Sequence, residues 1–315
     1  MKAFALDVLR QPGSIRDLPL PEPETGQVRI KVSAAGLNPF DSAVVSGHME
    51  GRMQHHFPLV PGMDASGTVD AIGDGVDGLA VGDDVFGSVG KMVLGEGTLA
   101  ELTTMSAGTI ARKPSWLEHV GAAAIPVAGI TALLMADAIG PQSGGSVVVV
   151  GATGGVGSYF VQLAAARGAQ VVAVCSTDNV AYARSLGAAD VIDYTADDIV
   201  DAVAGRYPDG ITAVADMRGD KAIVARLAEK VREGGHVASA VGSADPEASA
   251  KRSIGATNVQ GVVTTDELER FLGLLERKEV ALPEVRTFPF IETGNAMTMI
   301  GSGHVRGKLV VLPSA

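Results

Sequence analysis

Glycines at positions 151, 154 and 157 follow four consecutive valines in the run Ser146-Val147-Val148-Val149-Val150-Gly151-Ala152-Thr153-Gly154-Gly155-Val156-Gly157. A buried strand that feeds a glycine turn and then a helix gathers free N–H groups and the positive end of a helix dipole at one place, which favours a bound anion such as a pyrophosphate. The segment from Ser158 to Arg167 is alanine-rich with apolar Phe160, Val161 and Leu163, as that helix requires. Gly151, Thr153, Gly154, Gly155, Val156 and Gly157 are therefore the candidate phosphate contacts. Glycine spacing alone is a weak signal in a chain with 40 glycines among 315 residues. A second apolar run, Gln170–Cys175, completes a βαβ unit of the expected ~30-residue size, and this context turns the pattern into a nucleotide-binding turn.

The surrounding elements fall into two textures. From residue 1 to about 121, short alternating segments (Gln27–Ala34, Ser66–Ile72, Asp84–Phe86, Leu99–Thr104) are separated by Gly, Pro and Asp turns, which predicts an antiparallel β-rich domain. Residues 122–263 alternate helices and strands, with strands at Val191–Asp193, Ile211–Ala215 and His236–Ser239 and a helix at Lys221–Val231, which predicts a doubly wound parallel sheet. A sixth strand is expected at Asn258–Val263. Residues 264–315 hold a helix over Thr265–Arg277 and a last strand over Lys308–Leu312, and are expected to return to the first domain. The fold class is α/β, and a cleft between the domains is the default site.

A net charge of −11 argues against a nucleic-acid backbone or an anionic membrane surface as partner. Cys175 is the single cysteine, so an internal disulfide and a cysteine cluster for zinc are both excluded and a reducing, cytoplasmic compartment fits. No apolar stretch approaches the ~18 residues of a membrane span, and Met1–Asp7 breaks into charge too early for a secretory leader.

Several further motifs stand in order along the chain: Ala35-Gly36-Leu37-Asn38-Pro39-Phe40-Asp41, Pro61-Gly62-Met63-Asp64-Ala65-Ser66-Gly67-Thr68-Val69, Val81-Gly82-Asp83-Asp84-Val85, Gly97-Thr98-Leu99-Ala100-Glu101, Thr131-Ala132, Leu186-Gly187-Ala188-Ala189-Asp190-Val191-Ile192-Asp193-Tyr194 and Gly303-His304-Val305-Arg306-Gly307-Lys308. Together with the glycine turn they make nearly the whole chain resemble the medium-chain dehydrogenase/reductase superfamily, in its zinc-independent quinone-oxidoreductase-like branch. The resemblance implies a GroES-like catalytic domain around a Rossmann domain. It also implies that Asn38, Met63 and a position near Val127 stand where zinc-dependent relatives place their catalytic ligands, and that the loop over 88–97 lacks the four cysteines of a structural zinc lobe. Met63 and Val127 offer no donor that zinc prefers. His55-His56 invites a metal reading, but adjacent side chains of an extended segment point to opposite faces, so a polar loop is expected.

Without a Lewis acid, a simple ketone is a poor substrate, whereas a quinone or an α,β-unsaturated carbonyl spreads incoming charge over a larger π system. Hydride transfer from a reduced nicotinamide to such an acceptor is the expected reaction. Asn38, whose amide N–H can donate to a substrate oxygen, is the candidate catalytic residue, while Asp41 is assigned to fixing the Asn-Pro turn. No side chain stands out as a general acid, so solvent or a cofactor ribose hydroxyl is expected to deliver the proton. Ser46 and His48 read as surface residues.

Thr131 matches a family position that touches the cofactor, although a helical threonine also bonds its own backbone. Val241, Gly242, Val262 and Val263 are expected to line the nicotinamide pocket, and Tyr194 the adenosine end. Ser176 occupies the end of the second strand, where an NAD-binding chain carries an acidic residue, so nothing there repels a 2′-phosphate and NADPH is favoured over NADH. The acidic residue Asp178 and the absence of a nearby Arg or Lys pull the other way. A homodimer is expected, with the sixth strand as its edge. The alternative to an enzyme is a weakly active NADP(H)-binding sensor or structural protein of the same fold.

Overall fold

The computed structural model describes residues 1–91, 93–140 and 143–313. They form two compact units, Met1–Val127 with Val263–Leu272 and Glu284–Ala315, and Ala128–Val262 with Gly273–Pro283. The C-terminal stretch is thus shared between the units. Gln162 explains part of this, because its side chain donates to Ala281 O at 3.1 Å and accepts from Ala281 N at 2.8 Å, tying that segment to the helix Gly155–Ala166.

In the first unit the ten-residue strand Gln27–Gly36 organises the sheet. Val28, Ile30 and Val32 are fully buried while Lys31 between them is exposed, the period of two that one buried face demands. One side of this strand pairs antiparallel with Asp64–Ile72, and the other takes Leu102–Ser106 along Gln27–Lys31 and Lys308–Leu312 at Ala35–Gly36. Asp64 and Val310 therefore flank Gly36 from opposite sides. A Cβ on Gly36 would lie 2.0 Å from the Ala123 carbonyl oxygen, so only glycine permits this approach.

The second unit is a six-stranded parallel sheet in the order Asp190–Asp193, Gln170–Cys175, Ser146–Val150, Ile211–Asp216, Val231–Ser239, Gly255–Asn258. All five residues of Ser146–Val150 are buried, which is why its valines run without alternation. Asp198 and Asp220 cap their helices by accepting two backbone N–H groups each.

Three expectations need correction. The sixth strand is Gly255–Asn258, and Val259–Val263 is irregular. Asn258 ends the ladder by turning its side chain back onto Ala244, accepting from N and donating to O, each at 3.0 Å. The helix after Asp220 stops at Ala228, because the following strand begins at Val231. His55 and His56 lie in a strand, Gln54–Val60, rather than a loop; His55 is half-buried and His56 exposed, on opposite faces.

Candidate functional site

The parallel sheet places the carboxyl ends of its strands along one edge, and that edge collects most of the candidate cofactor residues. Gly151 follows the first strand with φ +82°, a left-handed conformation that a side chain would strain. Gly154 is the N-cap of the helix Gly155–Ala166 and brings no capping side chain. The first-turn amides of Gly155, Val156 and Gly157 precede any intrahelical acceptor, so they are available to an anion. A Cβ on Gly157 would stand 2.1 Å from Gly151 O and 2.7 Å from Ala152 C; glycine here lets the helix seat against the turn. Thr153, in the same turn, is buried. These features fit the diphosphate of a dinucleotide.

Ser176 and Tyr194 follow the neighbouring strands on the same edge, Tyr194 with its side chain partly exposed and its N–H donated to Cys175 O at 3.1 Å. Val241 and Gly242 follow Val231–Ser239, with Val241 N donating to Ser239 Oγ at 3.1 Å and Val241 half exposed. Thr131, on the helix Pro126–Ile139, touches the irregular segment after the last strand, since a Cβ on Gly261 would lie 2.0 Å from Thr131 Oγ1. Val262 in that segment is exposed, whereas Val263 is buried and belongs to the first unit.

Two features of this edge escaped the sequence reading. Buried Asp216 accepts from Ser239 Oγ at 2.8 Å and from the N–H groups of Arg218 and Gly219, which shapes the turn beside Gly151. Asp193 lies opposite Cys175 in register, next to Ser176, and supplies an acidic group at the end of the adjacent strand. The hydroxyls of Thr177 and Thr195 hold its carboxyl below the usual range. The Ser239–Asp216 bond and the register of Cys175 with Asp193 follow no local pattern, because each joins different strands.

In the first unit Asn38 caps the helix Pro39–Val45 and is 3% exposed. Its amide is fixed in one orientation, with Nδ2 donating to Asp64 Oδ2 at 2.9 Å and Oδ1 accepting from Lys308 Nζ at 2.8 Å. Lys308 also donates to Leu37 O at 2.8 Å. Asp64 receives the Val127 N–H at 3.2 Å, and Asp41 Oδ2 accepts from Asn38 N at 2.8 Å. An asparagine amide has two N–H donors, and Asp64 takes one of them.

All three charged groups are buried. Burial raises the Asp41 carboxyl to about 7, against the downward pull of the Asn38 and Gly62 backbone N–H groups and of Lys308, with Asp64 adding to the rise. Burial likewise raises Asp64 to about 6, opposed by Lys308 and Asn38. Lys308 is lowered, burial outweighing the two carboxylates.

The donor set does not fit a catalytic zinc ion. Asn38 has its amide oxygen on an ammonium group, Met63 offers a thioether packed against the core, and Val127 contributes a backbone N–H rather than a donor atom. Among the described residues no group of three or more His, Cys, Asp or Glu side chains is arranged to hold a metal ion.

Residues 24–115 match the alcohol dehydrogenase GroES-like domain, and residues 155–276 match the zinc-binding dehydrogenase family. The chain is 32% identical over 322 residues to a 2-methylene-furan-3-one reductase of Solanum lycopersicum, covering 98% of this chain and 76% of that one. It is also 32% identical over 320 residues to a chloroplastic NADPH-dependent alkenal/one oxidoreductase of Arabidopsis thaliana, covering 98% and 77%. The structure of a quinone oxidoreductase from Coxiella burnetii superposes with a TM-score of 0.89 at 29% identity, covering 99% of each chain. The chain belongs to the medium-chain dehydrogenase/reductase superfamily, with a GroES-like domain and a Rossmann-type parallel-sheet domain.

Proposed function

We propose that this protein is a zinc-independent, NADPH-dependent reductase of quinones and α,β-unsaturated carbonyls. The observation that carries the reading is the donor set at positions 38, 63 and 127, where a lysine ammonium and an amide replace what a metal would need. Such a site suits acceptors that are already activated. The names of the relatives point the same way, one to NADPH and an alkenal/one substrate, another to a furanone, and a structural neighbour to quinones.

NADPH, when bound, supplies the hydride. The first-turn amides of Gly155, Val156 and Gly157 hold its diphosphate, Ser176 and Tyr194 lie toward the adenosine end, and Thr131, Val241, Gly242, Val262 and Val263 line the nicotinamide side. Asn38 uses its remaining N–H to stabilise negative charge on the acceptor oxygen, with Asp64 and Lys308 preventing the amide from flipping. A homodimer is supported by the free edge of the strand Gly255–Asn258, and a reducing cytoplasmic compartment by the single, buried cysteine. Among the described residues no helix is long and apolar enough to cross a membrane.

Following NADPH and NADH oxidation against a panel of quinones and enones tests this reading. Turnover with NADPH preferred is expected. Tight NADPH binding with no acceptor reduced would make the protein a sensor instead.

A further inference from the structure

We propose that Arg218 is the residue that grips the 2′-phosphate of NADPH and so sets the preference for NADPH over NADH. This deepens the reading above, on whose cofactor site it rests, and every residue it uses lies in the second unit.

A phosphate monoester is held best by a cation with directed donors. The strand end expected to receive it, Ser176-Thr177-Asp178-Asn179, carries no basic side chain. Arg184 stands in the last turn of the helix Val180–Ser185, at the end further from this edge. The loops that follow the six parallel strands hold Asp178, Asp197, Asp198, Asp220 and Asp245. Among the described residues Arg218 is the one lysine or arginine in those loops. Lys221 already belongs to the next helix, Arg206 pairs with Asp190 and Asp197, and Arg226 pairs with Asp198.

The sheet register brings Arg218 to the adenosine end. Val150 is in register with Val174 on one side and with Asp216 on the other. Ser176 and Arg218, each two residues further on, therefore leave the edge at the same level, flanking the glycine turn. Two strand spacings separate them, roughly 10 Å, a gap that a phosphate ester bonded to both side chains fills.

The backbone of Arg218 is fixed while its side chain is exposed. Met217 N donates to Val150 O at 3.0 Å, which extends the pairing one residue past the strand. Buried Asp216 then accepts from Arg218 N at 2.9 Å and from Gly219 N at 3.1 Å, with its other oxygen taking Ser239 Oγ. The negative charge of Asp216 is thus spent on these donors, and the guanidinium leaves from a point set beside Gly151.

The hydroxyls of this edge are divided by their partners. Ser176 Oγ accepts from Asn179 Nδ2 at 3.1 Å, which leaves its own proton to donate to a phosphate oxygen. Thr177 gives its proton to Asp193 and offers a ligand no donor. A 2′-phosphate between Ser176 and Arg218 meets a donor on one side and a cation on the other. The diphosphate already has the first-turn amides of Gly155, Val156 and Gly157, so the guanidinium is assigned to the phosphate that lacks them.

Arg218→Ala removes an exposed side chain, so thermal unfolding should stay within a few degrees of wild type. Calorimetric titration of the cofactor-free protein with adenosine 2′,5′-bisphosphate reads the contact without turnover. Its Kd is expected to rise about 10- to 100-fold in Arg218→Ala, with Arg218→Lys between the two. For 5′-AMP and NADH, Kd should stay within about threefold, the scale of a screened charge at a distance. Added salt should narrow the gap between NADPH and NADH affinity in the wild type and leave it flat in Arg218→Ala. Lys221→Ala should move neither ligand. Unchanged bisphosphate affinity in Arg218→Ala, an equal loss for 5′-AMP, or a loss carried by Lys221→Ala instead would overturn the assignment. A wild type that binds the bisphosphate through Arg218 but reduces no acceptor would overturn the reductase reading and leave this one standing. A wild type that binds neither the bisphosphate nor NADPH would overturn both.

Discussion

Lys308 Nζ lies 3.7 Å from Asp64 Oδ2, with both side chains almost wholly removed from solvent. A lone buried pair of this kind offsets its own desolvation only when hydrogen bonds satisfy the rest of each group. Here Leu37 O, the Asn38 amide and the Val127 N–H do so. Asp41 adds one negative charge more than the lysine neutralises, and the pH response of the fold follows from that excess.

Stability is expected to fall as pH rises from about 4 to about 7. Asp41 and Asp64 have folded-state values near 7 and 6, both above the ordinary 3.8, so the folded state binds more protons than the unfolded chain across that window. Their contribution is full below 3.8 and is lost as pH passes through the folded values. For Asp41 the difference corresponds to on the order of 4 kcal/mol, at about 1.4 kcal/mol per pH unit. Urea denaturation at pH 5 and pH 8 checks this, and Asp41→Asn should flatten the difference.

Asn38→Ala should affect stability and turnover but spare cofactor affinity. It strips a hydrogen bond from both Lys308 and Asp64, which costs on the order of 2–3 kcal/mol when the partners stay buried. If the amide also stabilises the acceptor, kcat falls while the NADPH dissociation constant measured by fluorescence titration stays within about twofold.

Gly157→Ala should weaken both the fold and the nucleotide site. The new methyl meets backbone atoms of Gly151 and Ala152, which cannot move aside as a flexible side chain would. A loss of about 1–3 kcal/mol is expected, with a weaker NADPH affinity by calorimetry because the turn carrying the first-turn amides shifts.

Ser176→Asp should erode the preference for NADPH. A carboxylate about 4 Å from a 2′-phosphate at an effective dielectric of about 20 is worth about 4 kcal/mol of repulsion before solvent screening. A fall of at least about tenfold in kcat/KM for NADPH is expected, with NADH little changed. Asp193 already stands beside this position, but its oxygens are engaged by Thr177 and Thr195.

What could be read from the chain was local. The valine run, the glycines at 151 and 157 and the alanine-rich helix form a contiguous unit whose periods and turn chemistry are set by neighbouring residues, and the structure has them where the pattern puts them. That Met63 and Val127 carry no donor zinc prefers is a matter of residue type alone. The strand expected at Asn258–Val263 misled because apolar β-formers continue past Asn258, while the ladder ends where that side chain takes both backbone groups of Ala244.

The polar cluster was decided by tertiary structure alone. Asn38 and Lys308 are 270 residues apart, and they meet because Gln27–Gly36 pairs at its end with Lys308–Leu312 on one side and Asp64–Ile72 on the other. No local period encodes that register. Nor does sequence reveal burial, which is what turns Asp41 from a turn residue into a carboxyl that holds its proton near neutral pH.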